Sequence, residues 1–226
     1  MKKLISCCIV ALLSVAMYAQ KDITTFLGIP VDGSKSEMEK KLIEKGFTMK
    51  ESEYSKYLSG EFNGAYVRIS IGTNKNKVYR ITVNEAIGQR ETSIKERYNT
   101  LVSQFMKNKR YIALKDYTIP KDEYVFLSSR EERYKAVYYQ VPDITKFNTA
   151  TLAKIKEELK GKYTPEQISN PTEEIKKEMI DIAIKADTEL LSKKPVYMYV
   201  YKGEYDMYYI CISYENEYNR ANGEDL

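Results

Sequence analysis

The sequence predicts an α+β fold, with antiparallel sheet covered by helices on one face, and three observations carry that expectation. Asn63-Gly64 sits between two runs of alternating apolar and polar residues, the pattern of a tight β-hairpin. Ser34 and Glu37 form an S-x-x-E capping box directly ahead of apolar residues at helical spacing. The chain closes on a tyrosine-dense, strand-favouring stretch, residues 195–214, broken at its centre by Gly203-Glu204.

Taken in order, residues 1–19 read as a secretory signal peptide: Lys2 and Lys3, an apolar run from Leu4 to Val15, then small residues ending at Ala19. The run is short and wrongly flanked for a stable membrane span, so the expectation is an exported chain beginning near Gln20 and not embedded in a membrane. Cys7 and Cys8 come too early for a lipoprotein cysteine. The destination is the periplasm, the outer surface or the medium.

The stretch from Asp32 to Glu37 superficially looks like a calcium loop, but the later ligand positions are absent, and capping chemistry accounts for it. A helix over residues 35–45 follows, with Met38 and Leu42 on one face and Gly46 as its left-handed stop. A short strand, 47–50, comes next. The Asn63-Gly64 turn then sets Phe62 opposite Ala65, Gly60 opposite Val67 and Leu58 opposite Ile69. That leaves Tyr57, Ser59, Glu61, Tyr66, Arg68 and Ser70 on the wet face. A three-residue loop at 74–76 would place Val83 opposite Val67 and Ile81 opposite Ile69. Residues 57–84 thus form a three-stranded meander.

Ser93 and Glu96 repeat the capping box, and Ile94, Tyr98, Leu101, Val102, Phe105 and Met106 continue a helix to about Lys109. Strands are expected at 111–114, 124–128 and 133–140. After Val141-Pro142-Asp143 a helix over 150–160 carries Leu152, Ile155 and Leu159 and is closed by Gly161. Thr164-Pro165-Glu166-Gln167 is a further start signal. Asn170 as cap and Pro171 at the first helical position open a long helix to 192, with Ile175, Met179, Ile182, Ala186 and Leu190 on its buried face.

In the final hairpin a two-residue turn at Gly203-Glu204 puts Val196, Met198 and Val200 on one face with Met207, Tyr209 and Cys211. The other face then holds Tyr197, Tyr199 and Tyr201 with Tyr208 and Ile210. Either the hairpin is covered on both sides, or the tyrosines form an exposed platform. Tyrosine offers area and a hydroxyl at low entropic cost, so Tyr197, Tyr199, Tyr201 and Tyr208 are the candidate partner-binding residues.

Cleavage would leave about 207 residues, enough for one sizeable core. A single domain over 20–226 is expected, with 22–110 and 111–226 as its two possible lobes. Gly60-Glu61-Phe62-Asn63 is echoed by Gly203-Glu204-Tyr205-Asp206, as a duplication or as shared strand composition, although the two stretches would hold different hairpin positions.

Composition excludes more than it assigns. The formal charge is +4 with both signs interspersed, which gives no footprint for nucleic acid. The chain has no His and no Trp but 21 Tyr, so Ser-His-Asp triads, Cys-His pairs and His-containing zinc sites are not available to it. With Cys7 and Cys8 in the leader, Cys211 is alone and reads as a small buried hydrophobe. No Gly-rich phosphate loop follows a strand. No cofactor, metal or catalytic residue is therefore assigned. Glu61, Glu204 and Asp206 lie near hairpin turns, but their spacing does not mark a catalytic pair.

The opening from Phe26 to Met38, the Gly60-Glu61-Phe62-Asn63-Gly64 hairpin and the closing Asn222-Gly223-Glu224-Asp225-Leu226 together resemble an uncharacterised family of secreted proteins from Gram-negative gut bacteria. A helix followed by an antiparallel meander is also similar in layout to the β-lactamase-inhibitor-protein-like (BLIP-like) and PepSY-like folds. That resemblance implies binding or inhibition of proteins in the envelope or outside the cell, and no functional residue comes with it. The expected function is a non-enzymatic binding protein of the envelope or exterior with a protein, peptide or glycan partner. The alternatives are a carboxylate-based glycoside hydrolase, which needs two converging acids, and an assembly protein that binds by strand addition.

Overall fold

The computed structural model describes residues 22–52, 55–123 and 134–221. These form two compact units: Asp22 with residues 142–190, and residues 23–141 with 191–221. The division does not follow the two lobes expected from the sequence. The sheet of the second unit draws strands from both 22–110 and 111–226, and the separate unit is a helical insertion between two of its strands.

The sheet unit opens with a small hairpin, β1 (Thr25–Phe26) and β2 (Ile29–Pro30), turned by Leu27 and Gly28 at positive φ. It places Phe26, Ile29 and Val31 in the core. Helix α1 (Lys35–Glu44) begins on the expected capping box: the Ser34 hydroxyl accepts from the Glu37 N–H, and the Glu37 carboxylate accepts from the Ser34 N–H at 3.1 Å. Met38 and Leu42 are its buried residues, and Gly46 beyond its end has φ +99°.

Strands β3 (Thr48–Glu51), β4 (Lys56–Phe62), β5 (Ala65–Asn74) and β6 (Lys77–Glu85) form an antiparallel meander. The Asn63-Gly64 register is as expected, with Leu58 opposite Ile69 and Phe62 opposite Ala65. The next turn differs. Only Lys75 and Asn76 form it, both at positive φ, and Asn74 pairs with Lys77. A bulge then leaves one extra residue on β6, so Ile69 faces Val83 and Ile71 faces Ile81. The three-residue loop was expected because a two-residue turn alone would turn the apolar residues of β6 outward; the bulge restores the parity.

Helix α2 (Glu91–Lys107) starts three residues earlier than the Ser93/Glu96 capping box implies. Arg90 stands at the N-cap position with no side-chain cap, and Ser93 lies inside the first turn. Ile94, Tyr98, Leu101, Val102 and Phe105 are buried as expected, whereas Met106 is exposed. Strands β7 (Tyr111–Ala113) and β8 (Lys135–Gln140) follow; the strand expected at 124–128 lies outside the described residues. β9 (Pro195–Lys202) and β10 (Tyr208–Glu215) complete the sheet, in the order β3-β4-β5-β6-β10-β9-β8-β7. A helix followed by four antiparallel strands thus occurs twice, and the halves meet where β10 pairs with β6. In this layout β4–β5 corresponds to β8–β9. The echo between residues 60–63 and 203–206 therefore falls on non-equivalent positions.

Register aligns the core across strands. Leu58, Ile69, Val83, Ile212, Met198 and Ala136 are successive cross-strand partners on one face, and all six are buried. Each large member stabilises the fold by about 1.5–3 kcal/mol relative to an exposed position. Helices α1 and α2 pack on this face, sharing one apolar cluster with it.

The helical unit holds α3 (Ile144–Leu159), α4 (Pro165–Ser169) and most of α5 (Glu173–Ser192). α3 begins six residues before the expected start, because Asp143 Oδ1 accepts from the Thr145 and Lys146 N–H groups. Thr145, Asn148 and Thr149 are weak helix formers, which hid this first part. Thr151, Ile155 and Leu159 are buried on α3, and Leu152 is exposed. α4 has the expected Thr164/Gln167 capping box. Asn170 closes α4 rather than opening the long helix, whose first turn is capped by the Thr172 hydroxyl, 3.4 Å from the Ile175 N–H. Ile175, Ile182 and Ala186 are buried, with Met179 and Leu190 half-buried.

Candidate functional site

The final hairpin does not turn where the sequence implied. A three-residue turn, Glu204–Asp206, is closed by the Gly203 N–H donating to the Met207 carbonyl at 2.8 Å, and Lys202 pairs with Tyr208. Compared with a two-residue turn at Gly203-Glu204, β10 moves by three residues, an odd step that exchanges its two faces. Tyr208, Ile210, Ile212 and Tyr214 therefore join Val196, Met198 and Val200 in the core. Tyr209, Cys211 and Ser213 lie beside Tyr201, Tyr199 and Tyr197 on the opposite face.

The four candidate tyrosines are thereby separated. Tyr197, Tyr199 and Tyr201 line the face opposite α1 and α2, the first two half-buried and Tyr201 exposed. Tyr208 is buried on the core side and is not part of this surface. Tyr209 takes its place; the turn that the sequence implied had assigned it to the other face. One cross-strand row here reads Ser59, Arg68, Asn84, Cys211, Tyr199, Lys135, and the next contains Ser70, Thr82, Ser213 and Tyr197. Polar groups and tyrosines occupy these rows, where the reverse face is apolar and buried, aliphatic residues together with Tyr138, Tyr208 and Tyr214.

Two pockets lie on the face. At one end, about 240 Å3 is lined by Arg80, Lys135, Tyr197, Tyr199, Glu215 and Arg220. Its charges largely answer one another. Glu215 Oε1 accepts from the Ser213 hydroxyl at 3.1 Å and lies 2.9 Å from Arg80 Nε. The Arg80 N–H points out of line, which makes that contact an ion pair and not a hydrogen bond. Arg220 Nη1 reaches Glu215 at 3.4 Å and Glu217 at 3.1 Å, and the Lys135 ammonium sits 4.6 Å from the Tyr197 ring centroid. Burial raises the pKa of the Tyr197 and Tyr199 hydroxyls, so both stay protonated at neutral pH.

At the other end, about 470 Å3 is bounded by Tyr201, Tyr205 and Tyr209 from the hairpin and by Arg68, Asn84 and Glu85 from β5 and β6. Tyr201 and Tyr209 stack with ring centroids 5.3 Å apart and planes at 17°. Two glycines seat Tyr209: a Cβ at Gly88 would come within 2.7 Å of its Cζ, and one at Gly203 within 2.7 Å of its Cε2. Only glycine permits that approach. Tyr205 stands 87% exposed at the rim with φ 55°, and Asp206 follows at the same φ. Neither the close approach of Gly88 nor the turn type carries a local sequence signal.

Between the pockets, Cys211 is buried with its sulfur hydrogen-bonded to Tyr199, and burial pushes its thiol up to about 11. It is neutral and shielded at physiological pH, as its reading as a small hydrophobe implied. The structure does not bring Glu61, Glu204 and Asp206 together. Glu61 borders a different cleft, beside Phe62 and Phe105, and Glu204 borders the tyrosine pocket. Asp206 is held below the usual carboxylate range by the Lys202 ammonium, 2.5 Å away. Among the described residues no group of three or more Cys, Asp or Glu is placed to hold a metal ion, and no helix is long and apolar enough to cross a membrane. A larger cleft, about 930 Å3, runs along the polar side of α2, lined among the described residues by Glu91, Lys95, Asn99 and Gln104 of the helix and by Lys121 and Glu123.

Comparison with known proteins found no matching family model, no matching curated protein and no matching solved structure.

Proposed function

We propose that this chain is a non-enzymatic binding protein that holds its partner, a protein, peptide or glycan, on the tyrosine-bearing face of the sheet. The observation that carries the reading is the stacked Tyr201–Tyr209 pair, with Tyr209 fixed between Gly88 and Gly203 before any ligand arrives. Pre-placed rings bind at low ordering cost, because little rotamer freedom remains to be lost. In this reading the first nineteen residues direct export, and the protein works in the periplasm, at the outer surface or in the medium. The likeness to BLIP-like and PepSY-like folds is one of architecture and rests on the helix followed by an antiparallel meander, α1 with β3–β6. The short outermost strands of the described sheet, four residues in β3 and three in β7, favour use of the face over strand addition at an edge.

The test is capture from envelope extract by the immobilised exported chain, compared with a Tyr201→Ser/Tyr205→Ser variant. The expected result is loss of a reproducible partner by about tenfold or more, equivalent to roughly 1.4 kcal/mol. The melting temperature should shift by no more than about 5 °C. Equal capture by both proteins would refute the assignment of this face.

A further inference from the structure

The polar edge of the Tyr201–Tyr205–Tyr209 pocket narrows the class of ligand, and this step rests on the binding reading above. We infer that the pocket takes a pyranose ring of a neutral oligosaccharide. Tyr209 is immobilised by two glycines and stacked against Tyr201, while Tyr205 reaches out at the rim. A sugar ring presents an apolar C–H face, and a tyrosine ring is a flat apolar surface with a hydroxyl at its edge. The polar groups around these rings are planar. The Arg68 guanidinium, the Asn84 amide and the Glu204 carboxylate each offer paired donors or acceptors at a spacing that suits neighbouring hydroxyls.

Charge decides against ionic ligands. Glu85 is tied to Arg97 at 2.7 Å, which leaves Arg68 and Glu204 as one positive and one negative group on the pocket wall. Among the described residues Arg68 makes no ion pair; its guanidinium carbon lies 5.7 Å from the Tyr57 ring centroid. The wall has no surplus of either sign to attract an acidic chain or a cationic head group. Position on the sheet decides against an extended peptide. The pocket sits on the face at the hairpin end, so its walls are side chains and it has no free strand edge to supply a ladder of backbone hydrogen bonds.

Backbone strain marks the same spot. Tyr205 and Asp206 are consecutive non-glycine residues in the left-handed region, where L-residues are disfavoured. The conformation is held by the Gly203-to-Met207 hydrogen bond, the Met207 N–H donating to the Glu204 carbonyl at 3.1 Å, and the Lys202–Asp206 ion pair. Its effect is to turn Tyr205 out to the rim. Strain maintained in this way is a feature of ligand clamps. The volume, about 470 Å3, suits one or two sugar rings with the rest of the chain in solvent.

The experiment is calorimetric titration with cellotetraose, maltotetraose, mannotetraose and xylotetraose, beside tetragalacturonate and choline as charged probes. At least one neutral probe is expected to bind at millimolar concentration or tighter. Tyr205→Ser and Tyr209→Ser should each weaken it about tenfold, and Ser93→Ala on α2 should leave it unchanged. Because Tyr209 is packed and its loss could disturb the fold, the exposed Tyr205 is the decisive variant. Tighter binding of tetragalacturonate or choline than of any neutral probe overturns the inference, as does neutral binding indifferent to Tyr205→Ser. If no neutral probe binds while capture from extract still depends on Tyr201 and Tyr205, the sugar inference falls and the binding reading stands. If capture fails as well, both fall.

Discussion

Tyr209 is held by what its neighbours lack. The Cβ of an alanine at Gly88 would lie 2.7 Å from the Tyr209 Cζ and 2.9 Å from the Met207 Cβ, closer than real side chains approach. Gly88→Ala should therefore destabilise the protein by about 1–3 kcal/mol, the usual cost of overpacking. Tyr209→Ala in the same chain should return part of that loss, because the clash partner is gone. Urea unfolding of the two single variants and the double variant measures this coupling, and strictly additive losses would show that the ring is not seated between the glycines. This contact could not be read from the sequence. Gly88 belongs to no motif, and Tyr209 reads as an ordinary strand residue until the turn before it is known. Tyr197, Tyr199 and Tyr201 were legible as one face because alternation within a strand is a local property. Their alignment with Tyr209 in place of Tyr208 depends on pairing between strands.

Elements with a local cause were legible, and those whose bounds depend on distant contacts were not. Ser34 and Ser93 show the difference, since each is followed three residues later by Glu. Gly33 at φ +81° lets the chain enter α1 with Ser34 extended, and the capping box forms. Before α2, Gln89 exchanges backbone hydrogen bonds with Tyr208, both 2.9 Å, which fixes the chain up to Arg90 and starts the helix at Glu91. Ser93 is then an exposed helical position with no cap to make. Ser34→Ala should cost about 1 kcal/mol, and Ser93→Ala should cost nothing or gain a few tenths through helix propensity. Chemical denaturation separates the two directly, and equal losses would return the helix start to Ser93. The same contrast explains the turns. Asn63-Gly64 declares its type in two residues. The bulge on β6 and the left-handed Tyr205-Asp206 pair are imposed by the need to keep aliphatic residues on the inner face.

Over the whole molecule, the two halves of the sheet meet at β6 and β10, and the sequence holds no sign of that pairing because the helical insertion separates β8 from β9 along the chain. The union has a measurable consequence, since it buries phenols and the thiol in one body. Burial raises Cys211 from 9.0 to about 11. It also raises Tyr98, Tyr138, Tyr199 and Tyr214 above the ordinary 10.0, with desolvation the largest cause in each. For every one of these groups the folded state holds its proton more tightly than the unfolded chain does. The stability they contribute is thus complete below the unfolded pKa and is lost as pH rises toward the folded value. Cys211 should begin the decline near pH 9.0, and the tyrosines should steepen it above pH 10.0. Each group contributes a slope of up to about 1.4 kcal/mol per pH unit. Urea midpoints should accordingly be flat from about pH 7 to pH 8.5 and fall steeply beyond about pH 10, with tyrosinate absorbance from the buried rings appearing only as the chain unfolds. Cys211→Ala should remove the earliest part of the decline, between 9.0 and about 10, and leave the tyrosine part in place. A midpoint that stays level to about pH 11 would mean that these groups are solvated, and that the sheet does not close as one body around them.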